Sequence, residues 1–166
     1  MRAVVWISEG TWEACVDQAA RLVPPDAEIE LLHVAPVDVE EFATRGPARL
    51  LGRHPPPPPD PPLRAIAEEE AQALLAEAQA RLARAAELRS LRGRVEREVV
   101  AACAAADLLI LARDGEQRLG PKSLGKHARF VVDHAPCEVL LVWPEPPPGI
   151  ETIPPTGIDR VGLAGP

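Results

Sequence analysis

Residues 106–143 read ADLLILARDGEQRLGPKSLGKHARFVVDHAPCEVLLVW, and the order of apolar runs and glycines in this stretch decides the fold. Residues 106–111 form a short apolar run with Asp107 near its start, and residues 138–143 (EVLLVW) form another, rich in Val and Leu. Between them lie Gly115, Gly120 and Gly125, followed by a helical stretch that stops at Pro136. Unbroken apolar runs of this length suit strands covered on both faces. Two strands joined through a helix are parallel, and the crossover is right-handed. The glycine-bearing loop therefore leaves the carboxyl end of one strand and enters a helix N-terminus, where open α/β sheets receive anions and nucleotides.

Outward from this stretch the same alternation continues. Residues 3–7 (AVVWI) read as a buried strand. Thr11 is placed to cap a helix running to about residue 23, with Trp12, Cys15, Val16, Ala19, Leu22 and Val23 on its apolar face. Pro24 and Pro25 stop it, and residues 28–34 (EIELLHV) form the second strand. A long helix opens at residues 62–63 and runs to about residue 86, with Leu63, Ile66, Ala67, Leu74, Leu75, Ala78 and Leu82 as its stripe. Residues 87–91 are a short third strand, and a further helix turns Val95, Val99, Val100 and Cys103 inward. Alternating elements of this kind predict an α/β fold: a doubly wound five-stranded parallel sheet in the order 3-2-1-4-5, with helices on both faces.

At 166 residues the length fits one domain. That domain is expected to span residues 1–144, with a proline-rich insertion at about 38–62. Residues 54–62 (HPPPPPDPP) read as a polyproline II spacer. The Pro and Gly density of residues 145–166 predicts an unstructured tail. A net charge of −7 and an aromatic content of 3% without Tyr argue against a nucleic-acid groove or an anionic membrane as partner. The three cysteines have no CxxC spacing and read as free thiols of a cytoplasmic protein, and no apolar run is long enough for a membrane helix. Ser8, His33, His127, His134, Cys137 and the carboxylates Glu68–Glu70 are the candidates for reactive or metal-binding groups. None has the neighbours that catalysis or chelation needs, so no catalytic or metal site is expected. Gly120 to Lys126 satisfies GxxxxGK, but His127 stands where a P-loop needs Ser or Thr.

With these elements in place, the chain resembles the universal stress protein family. The residues that carry the resemblance are LLHVAP after the first helix, ADLLILA before the loop, and HAPCEVLLV at the end. ATP-binding members carry G-x2-G-x9-G-[ST] in this loop, and here the frame is Ala112-x2-Gly115-x9-Gly125-Lys126. The resemblance implies an adenine nucleotide such as ATP, or another anion, held by Val34, Ala112, Arg113, Gly115, Gly125 and Lys126. It also implies a stress-response module that forms a homodimer through the last strand, from Glu138 to Trp143. Two departures stand out. Lys126 replaces the hydroxyl residue, and Trp6 and Ile7 stand where nucleotide-binding members have Asp and Gly at the end of the first strand. Trp6 either stacks on a base or fills the adenine pocket with its own ring, which would leave a nucleotide-free protein-interaction module. ATP hydrolysis is the weakest expectation, since no residue is placed to orient a water.

Overall fold

The structure, a computed structural model, describes residues 1–37 and 61–153, with side chains of the second helix from residue 65 onward. The expected polyproline segment falls outside these residues up to position 60, as does the tail beyond 153. Five strands, β1 (Arg2–Ile7), β2 (Glu28–Pro36), β3 (Glu87–Gly93), β4 (Leu108–Ala112) and β5 (Glu138–Val142), form one sheet. Its order is β3-β2-β1-β4-β5, with every neighbouring pair parallel. Among the described residues four helices connect them: α1 (Trp12–Leu22), α2 (Pro61–Leu82), α3 (Val95–Ala102) and α4 (Lys126–His134). The expected fold class and strand order are those of the structure.

Side-chain alternation along the strands sorts the core into two halves. Ala3, Val5 and Ile7 of β1, Ile29 and Leu31 of β2, and Ile110 and Ala112 of β4 face α1 and α2. Trp12, Cys15, Val16, Ala19, Leu75, Ala78 and Leu82 meet them from the helices. On the opposite face Val4 and Trp6, Leu32 and Val34, and Leu109 and Leu111 pack against Val99, Cys103, Ala128 and Val131. The central strands β1 and β4 are apolar on both sides because both sides are covered. β3 and β5 are edges, and β5 holds Val139, Leu140 and Leu141 half-buried.

Several local expectations change. Thr11 stands at the N-cap of α1, but its hydroxyl donates to the Ser8 carbonyl at 3.3 Å, giving a turn instead of a cap. Ile66, expected in the stripe of α2, is 50% exposed, so the packed part of that helix begins further on, at Ala71, Leu75, Ala78 and Leu82. α2 ends at Leu82, short of residue 86, because Ala83 takes a left-handed conformation with φ 56°. Arg84 then holds the chain end in place, donating to the carbonyls of Val23, Pro24, Pro25 and Ala27 at 2.8–3.1 Å. A Cβ at positive φ is strained and glycine is not. Ala83→Gly is therefore expected to stabilise the protein by about 0.5–1 kcal/mol in chemical denaturation. An unchanged or lowered midpoint would show that α2 gains nothing from relief at this position.

The start of the expected tail is ordered. Residues Ile150–Thr152 form a 3-10 turn. The Gln117 amide donates to the Pro146 carbonyl at 2.8 Å, and the Leu119 N–H donates to Thr152 Oγ at 3.1 Å. Proline and glycine make this stretch look unstructured in sequence, yet these two bonds strap it across the loop that follows β4. Among the described residues no helix is long and apolar enough to cross a membrane.

A cleft at the strand ends

A cleft of about 660 Å³ opens at the carboxyl ends of the central strands. Trp6, Ile7 and Ser8 line it from the end of β1, His33 to Pro36 from β2, Arg92 from β3, Asp114 from beyond β4, and His127 from α4. Ala67, Ala71 and Leu74 of α2 close one side. This is the switch point of the sheet, where connections leave β1 and β4 in opposite directions and a crevice is unavoidable.

The register explains one wall. Pairing of β1 with β2 ends at Ile7 and His33, so Val34, Ala35 and Pro36 overhang β1. The backbone edge of that overhang borders the cleft, which suits recognition of a flat heterocycle by main-chain groups. The His33 Nδ1–H donates to the Ile7 carbonyl at 3.0 Å, tying the last pair together. Trp6 forms part of the floor. Its side chain belongs to the core half under α3 and α4 and is 8% exposed, while Ile7 is fully buried on the other face. The indole thus lines the cleft.

The glycine loop is closed on itself. The Gly115 N–H donates to the Ser123 carbonyl at 3.0 Å and the Glu116 N–H to the Lys122 carbonyl at 2.8 Å. A Cβ on Gly115 would collide with the Lys122 carbonyl oxygen, so this glycine is needed for loop closure. The Gly125 N–H, at the start of α4, donates to Asp114 Oδ1 at 2.7 Å. Arg113 turns toward the buried Ser123, whose Oγ it meets at 2.5 Å, and its guanidinium carbon lies 4.8 Å from the ring centroid of Trp143. Lys122 pairs with Glu116 at 3.6 Å. Lys126 is exposed and has no ion pair among the described residues.

Of the residues expected at the site, Val34 lines the cleft, whereas Ala112, Arg113, Gly115, Gly125 and Lys126 are not among its lining residues. Asp114 and His127 line it and were not expected to. The His127 Nδ1–H donates to Glu96 Oε2 at 2.8 Å, and Glu96 sits in the first turn of α3. Its carboxyl lies below the usual range, first because its own backbone N–H bonds it and then through His127. Among the described lining residues the carboxylates Glu9, Glu70 and Asp114 outnumber the single arginine, Arg92.

The thiols take no part. Burial pushes Cys15 and Cys103 up to about 12, and Cys137, which is half-buried beside Cys103, is raised first by the same cause. His134 stacks on Phe130 with ring centroids 4.0 Å apart, away from the cleft. No group of three metal-ligating side chains occurs among the described residues.

The model of the universal stress protein family matches residues 4–142. Among curated proteins no sequence match was found. The fold is similar to that of a universal stress protein in complex with cAMP, at 17% identity over 87% of this chain and 98% of that one, with a TM-score of 0.59. The universal stress protein UspA from Lactobacillus plantarum is similar over 86% and 97% of the two chains, with 17% identity and a TM-score of 0.54. A universal stress protein from Archaeoglobus fulgidus is similar over 86% and 98%, again with 17% identity, and a TM-score of 0.51.

Proposed function

The chain belongs to the universal stress protein family, and from that premise we propose that it is a regulatory stress-response module whose cleft takes the nucleoside part of an adenine compound. The observation that carries this reading is the open cleft itself, floored by Trp6 and edged by the β2 overhang at Val34, Ala35 and Pro36. A flat ring fits between an indole and a strand edge, with stacking on the first and hydrogen bonds to the second. The complex with cAMP formed by a protein of the same fold supports an adenine ring as the ring in question.

Calorimetric titration with adenosine tests it. The protein is expected to give saturable heat. Ala67→Trp, which fills the cleft from the solvent-facing helix α2, is expected to abolish that heat while changing stability by less than about 0.5 kcal/mol. Wild-type protein that gives no heat with adenosine contradicts the reading. The second reading, a nucleotide-free protein-interaction module, is favoured by one observation, the near-complete burial of Trp6 in the core under α3 and α4. It predicts no heat in either protein.

A further inference from the structure

The loop between β4 and α4 carries a group that the reading of the cleft leaves unexplained. Asp114 is a carboxylate at the place where an anionic ligand would be received. We propose that Asp114 is a specificity-determining residue: it acts as an internal anion seated on the Gly125 amide that leads into α4, so that the site accepts an adenine nucleoside and turns away its phosphorylated forms. This inference rests on the reading of the cleft as a nucleoside site.

Four observations converge on it. Asp114 Oδ1 accepts the Gly125 N–H at 2.7 Å, directly before the nine-residue helix α4. A Cβ on Gly125 would lie 2.8 Å from Asp114 Oδ2, so the space this glycine leaves is taken by the protein's own carboxylate and not by a ligand. Several of the loop's other amides are spent as well: those of Gly115, Glu116, Arg118 and Ser123 on loop carbonyls, and that of Leu119 on Thr152. Two of the loop's cations are turned elsewhere, Arg113 to Ser123 and Trp143, and Lys122 to Glu116, which leaves Lys126 as the exposed cation beside the Gly125 amide. A phosphate entering here must displace one negative charge and then lie beside it. Glu9 and Glu70 on the same lining add to the repulsion.

Asp114 is exposed, so the repulsion is screened and weakens as salt is raised. The experiment is titration of adenosine and of ATP, in low salt, into wild-type protein, Asp114→Asn and Asp114→Ser. Asparagine keeps the acceptor for Gly125 without the charge, and serine opens the seat further. In both variants the ratio of ATP affinity to adenosine affinity is expected to rise about tenfold or more over that of the wild type. Thermal melts accompany each titration and confirm that the variants are folded. ATP affinity unchanged in both folded variants, or ATP bound by none of the three proteins, overturns the role of Asp114. Tighter ATP binding by the variants, with no adenosine binding to any of the three proteins, overturns the nucleoside reading and leaves the role of Asp114 standing.

Discussion

Trp6→Ala is expected to lose about 3–5 kcal/mol of stability in chemical denaturation, the range for truncating a large aromatic side chain in a packed core. Trp6 is 8% exposed and packs among Val4, Leu32, Val34, Val99, Leu109, Leu111, Ala128 and Val131, so the void has neighbours from three strands and two helices. These neighbours belong to a parallel sheet covered on both sides and collapse poorly, which puts the cost toward the upper part of the range. Trp6→Phe keeps a ring and is expected to recover most of the loss. The same residue floors the cleft, so the substitution has a second readout. If adenosine stacks on the indole, Trp6→Leu weakens binding by about 1–3 kcal/mol, and Trp6→Phe by less. A loss of stability with adenosine affinity unchanged would leave Trp6 as a core residue only.

Arg2→Met is expected to cost about 2–4 kcal/mol, because it removes the closest partner of a buried carboxylate. Glu30 is the third residue of β2 and its side chain is 1% exposed. Arg2 meets one of its oxygens at 2.5 Å and Arg89 meets the other at 3.3 Å. Both arginines are partly exposed, so each loses little hydration on pairing, while Glu30 has given up nearly all of its own. The Glu30 hydrogen bond in turn raises the Arg2 guanidinium above its ordinary value. Without Arg2, the charge is left with Arg89 alone. Adding Glu30→Met in the Arg2→Met background removes the orphaned charge and is expected to restore most of the stability. A double variant no better than the single one would show that Arg2 acts through packing and not through Glu30.

The sheet was legible because its information is local. Each strand is a short apolar run, each helix a stripe at helical spacing, and parallel pairing follows from the helices between strands. The alternation of Ala3, Val5 and Ile7 against Val4 and Trp6 on opposite faces follows from strand geometry alone. The site was legible in position but not in chemistry. Gly115 and Gly125 stand at the spacing of a phosphate loop, but spacing does not say which way an amide points. The bond from Gly125 to Asp114 joins residues eleven apart through a loop that folds on itself, and an aspartate beside a glycine reads as an ordinary turn. The signal that was present, an acidic residue directly before the first loop glycine, acquires meaning only once the loop is closed. His127 and Glu96 are thirty-one residues apart and meet only because α3 and α4 share one face of the sheet. The ordered strap at 145–153 was hidden by its proline content, which obscured the two hydrogen bonds to Gln117 and Leu119.

A crystal structure of the protein soaked with adenosine tests most directly whether the cleft holds a nucleoside while Asp114 keeps the Gly125 amide. The base is expected against Trp6 and the β2 overhang at Val34, with Asp114 still accepting from the Gly125 N–H. A base bound outside this cleft, or Asp114 displaced from Gly125 by the bound nucleoside, would contradict it.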